Sequence, residues 1–390
     1  MHKGKIIVFG ILFWYPLAGV TYQFLHYLIA LRRLGYDVYY VEDSERWIYD
    51  MRLNDFSSDA SANVASVAPV LEAHGFAGKW AFRGQYPGGQ CYGMSESAIE
   101  ALYRDADAFL NITAAQEIRE EHLRVKRRIY VESDPFAAQV GVEMGDAKTL
   151  LQLESHDTLF TYGENIGAPD CILPTEPFKW LPTRQPVLLD LWPVAEPRLD
   201  APFNTITTWH NKWKSIRWRG ETWFWTKDRE FKKFITLPEL RPQVGFELAT
   251  NLDEYPVAER HLARHRWRIA DGLGISSKLD TYRDYIRHSR GEFTVTKDQV
   301  VRPRTGWFSD RTACYLAAGR PVITQETGFS KFYGDGRGLF GFTTMDDILA
   351  AVDAIESNYT VHSRAAREIA EEFFAAEKVV ASLMERAGLV

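Results

Sequence analysis

The segment from Phe308 to Gly328, Phe-Ser-Asp-Arg-Thr-Ala-Cys-Tyr-Leu-Ala-Ala-Gly-Arg-Pro-Val-Ile-Thr-Gln-Glu-Thr-Gly, constrains the chain most. It reads as a helix, a tight glycine turn, a short buried strand and a polar loop. Ser309 stands at the N-cap position, so the helix presents backbone N–H groups and the positive end of its dipole to whatever lies in front. Gly319 closes the helix, and Pro321-Val-Ile-Thr324 is apolar enough for a central parallel strand. Gln325-Glu-Thr-Gly328 then falls at a strand's carboxyl end, where open α/β sheets bind their ligands. The competing reading is an ordinary αβ unit with no ligand.

A chain of 390 residues exceeds a single hydrophobic core, so two domains are expected. A formal net charge of −6 argues against general nucleic-acid binding and confines any phosphate attraction to a local patch. Cys91, Cys171 and Cys314 are scattered without a CxxC, which excludes a disulfide framework or a zinc cage and favours a reducing, cytoplasmic setting. The amino end mimics a secretory leader, with Lys3 and Lys5 before the apolar run Ile6 to Tyr15. Pro16 and Gly19 break that run and no cleavage pattern follows, so a first strand is expected instead, with no transmembrane segment.

Ile6 to Phe13 as strand, Thr21 to Leu34 as helix, Gly35 as its cap and Asp37-Val-Tyr-Tyr-Val41 as strand make one βαβ unit. The first loop holds only Gly10 and Gly19 and lacks G-x-G-x-x-G, so NAD binding is unsupported even though Glu42 and Asp43 follow the second strand. Further strands are expected at 107–112, 128–134 and 158–163. Prolines crowd 169–202 and mark an interdomain linker. A second α/β run starts at Asn204 and reaches the opening segment, and 362–384 reads as one amphipathic helix. The fold class is therefore α/β with two Rossmann-like domains, at 1–195 and 203–361, followed by a helical tail at 362–390.

Arg304-Thr-Gly-Trp307, the 317–328 stretch, Gly338-Leu-Phe-Gly-Phe342, Met345 to Val352 and Arg364 to Ala370 together resemble the carboxyl-terminal half of GT-B glycosyltransferases. The resemblance implies two domains facing across a cleft. A nucleotide-sugar donor would be held mainly by the second domain and an acceptor by the first, with the last helix packing back on the first. It also implies sugar transfer from a nucleotide-diphosphate donor to a hydroxyl, with the sugar nucleotide as co-substrate and no cofactor. Retaining members often carry two glutamates around the helix; those places hold Gly306 and Cys314 here. The alternatives are an epimerase or hydrolase of the same fold, or a non-catalytic nucleotide- or sugar-binding protein.

Such a transfer needs cations or N–H groups at the leaving phosphates and a base or carboxylate near the sugar. Lys297 and Arg311 are the favoured phosphate contacts among Lys227, Arg290, Lys297, Arg302, Arg304 and Arg311; solvated surface charge competes for each. Ser309 and Asp310 flank the helix start. Thr324, Gln325, Glu326, Thr327 and Gly328 form the donor loop, with Glu326 the sugar-side carboxylate and loop stabilisation its rival role. Gly19 is expected to let backbone approach the donor or acceptor. Asp134, between a strand end and Pro135, is the first-choice base, ahead of Glu132 and His26. The aromatic group Trp209, Trp213, Trp218, Trp223 and Trp225 is read as part core and part cleft wall. Gly336-Arg-Gly-Leu-Phe-Gly341 and Asp105-Ala-Asp107 match nucleotide and metal motifs only literally, so no metal is assigned.

Overall fold

The computed structural model describes residues 3–44, 46–84, 90–195, 200–211 and 213–389. In chain order the first ten strands are β1 (Lys5–Phe9), β2 (Asp37–Glu42), β3 (Ile48–Asp50), β4 (Asp55–Ser57), β5 (Trp80–Arg83), β6 (Cys91–Gly93), β7 (Ala108–Ile112), β8 (Arg127–Glu132), β9 (Thr158–Thr161) and β10 (Trp180–Pro182). Eight of them form one sheet in the order β10-β9-β8-β7-β1-β2-β5-β6, parallel except at the β5–β6 edge, while β3 and β4 make a separate hairpin. The remaining strands are β11 (Phe203–Ile206), β12 (Ile216–Trp218), β13 (Glu221–Trp223), β14 (Phe246–Thr250), β15 (Arg268–Asp271), β16 (Gly291–Thr294), β17 (Val322–Gln325) and β18 (Leu339–Phe342). Six of these build a second sheet, β15-β14-β11-β16-β17-β18, parallel throughout.

Both orders reverse once, between β1 and β7 and between β11 and β16. Those are the switch points at which a doubly wound sheet opens a crevice. Alternation along β1 explains the layering: Ile6 and Val8 enter one core with the helix Ala18–Arg33, while Ile7 and Phe9 enter another with Ile99 and Phe109. Successive side chains point to opposite faces, so a strand apolar on both is covered on both. The carboxyl ends of the two sheets meet, since Asp134 just past β8 pairs with Lys297 just past β16 at 2.8 Å.

Three expectations need correction. The proline-rich stretch is not a bare linker: Trp180–Pro182 adds an edge strand to the first sheet, and Asp170 ion-pairs with Arg304 and Lys331 of the second half at 2.9 and 2.6 Å. Proline tolerates an edge strand because one side of the ladder needs no N–H. Gly19 lies inside the helix Ala18–Arg33 rather than in the preceding loop, and a Cβ there would meet the Tyr282 hydroxyl at 3.1 Å. Its smallness serves helix packing between the two halves. The tail is two helices, Tyr359–Ile369 and Ala376–Arg386, separated by a wide turn at Ala370–Phe374. Val187 holds the break open by donating to the Phe374 carbonyl at 2.7 Å and accepting from the Ala376 N–H at 3.0 Å.

The last helix places Val380, Leu383 and Met384 in the core of the first sheet, beside Leu25 and Leu28 of the first helix. Leu383 is fully buried. Leu383→Ala is expected to cost about 2–5 kcal/mol, read as a shift of the urea midpoint; a change within error would mean this helix contributes little to the fold.

Candidate active site

Where β16 ends, Lys297 precedes the short helix Asp298–Val301 and turns its ammonium into the crevice, 3.2 Å from the Trp225 ring centre and bonded to Asp134. Burial lowers its pKa, and the Asp134 carboxylate opposes that shift. Lys227 arrives from another direction, directly before the helix Asp228–Lys233. Burial, reinforced by the charges of Arg311 and Lys297, pushes its pKa well below the ordinary lysine value. Among the described residues its ammonium has no hydrogen-bond or ion-pair partner.

Arg311 completes the set from the first turn of the helix Asp310–Ala317. Its Nε donates to Glu292 at 2.6 Å, Nη1 to the Ile206 carbonyl at 2.8 Å and Nη2 to the Thr294 hydroxyl at 3.1 Å. The guanidinium is thus pinned over the β11/β16 switch point. Ser309 occupies the N-cap position with extended backbone, but its side chain makes no capping bond. Burial first, and then the Asp134 charge, raise the Asp310 pKa to about 7. The arrangement collects three cations and an uncapped helix start, faced by a carboxylate from the first sheet.

The other expected donor residues build the loop that frames this site. Gln325 accepts from the Thr296 N–H at 3.1 Å and donates to Glu230 at 2.7 Å, tying β17 to β16 and to the helix at 228–233. Thr327 donates its hydroxyl to the Trp307 carbonyl at 2.6 Å. Glu326 accepts from the Gly328 N–H, the loop-stabilising role rather than an outward one. Gly328 needs its own residue type, because φ is +102° and a Cβ would sit 3.3 Å from the Arg304 carbonyl. Thr324 stands in register with Thr294 on the neighbouring strand.

Asp134, Lys297, Asp310 and Arg311 are therefore brought together, while Gly19 is drawn into helix packing. Among the other basic residues considered, Arg290 pairs with Glu356 at 2.7 Å and Arg302 with Asp298 at 2.5 Å, outside the cluster. Glu132 is enclosed, accepting from Thr161 at 2.6 Å and Gln139 at 2.8 Å, and burial raises its pKa to about 8. His26 is a core residue accepting from the Trp192 indole at 3.2 Å, with burial lowering its pKa to about 3. Sequence reasoning ranked Lys227 behind Lys297 and Arg311, did not single out Trp225 within its aromatic group, and passed over Glu292. A hairpin, β12–β13, separates Lys227 from β11, so no fixed spacing betrays it; the only trace is a lysine just before an acidic helix start.

On the first sheet, Glu42 accepts from the Phe13 and Trp14 N–H groups at 2.7 and 2.8 Å and from Tyr40 at 2.9 Å, which fixes the loop after β1. Burial raises its pKa to about 8. It is not a ribose ligand. Asp43, Glu121 and His122 place their ligand atoms within 4.8 Å of one another, but Arg83 neutralises both carboxylates, at 2.6 and 2.8 Å. Asp105 and Asp107 pair with Lys5 and Lys126 at the amino edge of the sheet, away from the crevice. The tryptophans divide: Trp209, Trp218 and Trp223 are buried, Trp225 covers Lys297, and Trp213 is 88% exposed.

Comparison of the whole chain with solved structures decides the architecture. An α-glucosyltransferase bound to UDP and a 13-mer DNA is 10% identical, with TM-score 0.60 over 99% of both chains. HepE of Anabaena with UDP and glucose is 10% identical, with TM-score 0.57 over 100% of both. The sucrose-phosphate synthase of Thermosynechococcus elongatus is 11% identical, with TM-score 0.51 over 98% of both. The chain has the GT-B fold. No protein-family model matches it, and no curated protein matches it by sequence. No described helix of this GT-B chain is long and apolar enough to cross a membrane.

Glu42, Glu132 and Asp310 carry folded-state pKa values of about 8, about 8 and about 7, above the ordinary carboxylate range. The folded state holds more protons than the unfolded one over that interval. Their contribution to stability is full below about pH 4 and is lost as pH rises through about 7 to 8. Unfolding free energy is expected to fall from about pH 6 to about pH 9, and Glu132→Gln to make that fall shallower. Urea titrations across the range check it; an unchanged slope in the variant would show that Glu132 does not hold a proton.

Proposed function

We propose that this protein is a glycosyltransferase that moves a sugar from a nucleotide-diphosphate donor to a hydroxyl-bearing acceptor without a metal ion. The observation that carries the reading is the convergence of Lys227, Lys297 and Arg311 at the uncapped start of the helix Asp310–Ala317, at the switch point of the second sheet. Three basic side chains, of which only Lys297 and Arg311 have a carboxylate in contact, favour a polyanion, and helix N–H groups favour phosphate oxygens. A diphosphate there would have its developing negative charge met by groups already in place, the task a divalent ion performs elsewhere. Both UDP-bound neighbours support uridine as the base.

The acceptor's reacting hydroxyl belongs on the first-sheet side, where Asp134 is the candidate base. In the free protein Asp134 is held by Lys297 at 2.8 Å. An incoming diphosphate competes for Lys297 and leaves Asp134 available to take the acceptor's hydroxyl proton. The second half thus binds and polarises the donor, while the first supplies the base. A cytoplasmic location accords with the unpaired cysteines.

Calorimetry with UDP, GDP, dTDP and ADP is expected to favour UDP. Lys227→Ala and Lys297→Ala are each expected to weaken UDP binding by roughly 10- to 100-fold, the loss of a charge-assisted contact. Asp134→Asn is expected to act in the opposite sense, binding UDP about 3- to 10-fold more tightly by releasing Lys297 while abolishing transfer. Unchanged affinity in both lysine variants would overturn the donor site. Sugar released from UDP-sugar at the same rate with and without acceptors would favour a hydrolase.

A further inference from the structure

The insert that carries β12 and β13 stands apart from the second sheet and leaves a groove of about 700 Å³ between itself and the helices Asp228–Lys233 and Asp298–Val301. That is the size of a small-molecule site or of one stretch of a longer ligand. Its lining carries four carboxylates and four cationic side chains, so its formal charge cancels. Most of those charges already answer one another: Arg302 bonds Asp298 at 2.5 Å and Glu221 at 2.6 Å, and Lys232 bonds Asp228 at 2.6 Å. A lining of that kind has no surplus charge for nucleic acid, whose binding rests on unpaired lysine and arginine.

What it does offer is the exposed polar ends of Glu221, Lys232, Lys233 and Arg302, which can accept from and donate to neighbouring hydroxyls. Beside them lies Phe224, half-buried, with the Arg229 guanidinium 3.9 Å from its ring centre. Arg229 is exposed and forms no ion pair or hydrogen bond among the described residues, so it remains available to a ligand. A neutral ring with polar edges and an apolar face, the shape of a pyranose, matches this combination. The groove also adjoins the reaction centre, because its rim residues Asp228 and Asp298 directly follow Lys227 and Lys297.

We propose that this groove binds a neutral oligosaccharide, as the part of the acceptor remote from the hydroxyl that receives the new sugar. Its role as acceptor rests on the transferase reading; saccharide binding itself does not. The test is an immobilised array of neutral gluco-, manno-, galacto- and xylo-oligosaccharides, with sialylated glycans and a DNA duplex as charged probes, run in parallel with UDP calorimetry. Wild-type protein is expected to bind one neutral series. Arg229→Ala, at an exposed position that leaves folding alone, and Phe224→Ala are each expected to weaken that binding by roughly tenfold or more while UDP affinity stays within about twofold.

Binding of no neutral saccharide, binding to DNA or sialylated glycans in preference, or variants that bind as tightly as wild type would each overturn the proposal. Saccharide binding that both variants weaken in a protein that ignores UDP would support the groove and remove the donor reading. UDP binding with no saccharide bound would remove the groove and leave the donor reading standing.

Discussion

Cationic groups withdrawn from water must be answered by counter-charge, and in this protein that requirement joins the two halves of the chain. Arg311 is answered within the second sheet by Glu292, whose carboxylate is fully buried at 2.6 Å. Among the described residues Lys297 is answered only from the other half, by Asp134. Lys227 is left with long-range attraction to those same two carboxylates and repulsion from its two cationic neighbours. Withdrawing an ion from water costs several kcal/mol unless a partner compensates. Lys227 meets that cost by a lowered pKa, which favours its neutral form, and an anion entering the crevice would favour the charged form again.

The topology explains why the charges can meet at all. Each sheet reverses its strand order once, and such a reversal is where a doubly wound sheet can open a crevice at its carboxyl edge. Because the sheets face each other by these edges, loops after β8 and β16 come within hydrogen-bond distance, and Trp307 donates to the Ser133 carbonyl at 2.7 Å across the same seam. The chain crosses between the halves twice, near Val187 and near Ala375, and the crossings hydrogen-bond to each other. The halves are joined by further backbone bonds, from the Asn165 N–H to the Thr305 carbonyl at 2.9 Å and from the Ile172 N–H to the Pro303 carbonyl at 3.3 Å, while Lys297 and Asp134 meet through side chains.

How much of this was legible depended on whether the information was local. The segment from Phe308 to Gly328 announced helix, turn, strand and loop through capping position, glycine and β-branched residues, and the structure has them as Asp310–Ala317, Gly319 at φ +68° and Val322–Gln325. The apolar runs of β1 and β7, the latter interrupted by Asn111, were readable for the same reason. The break at Ala370–Phe374 was not, because it is held by Val187, which lies far away in sequence. Gly19 misled because a glycine beside a helix start looks the same whether it faces a ligand or the Tyr282 ring of another helix.

Taken by itself, the amino-acid sequence determined the local grammar: two runs of alternating strands and helices, the switch from helix to strand around Gly319, and the acidic net charge that limits phosphate affinity to one place. Those follow from backbone sterics, side-chain periodicity and charge counting, which act over a few residues or over the whole composition. Only the tertiary structure decided which lysines matter. Lys227 and Lys297 are 70 positions apart in sequence and differ little from a dozen surface lysines until two separate strands end at the same crevice. Desolvation and Coulomb energy depend on distances in space, and those are set once the sheets have closed on one another.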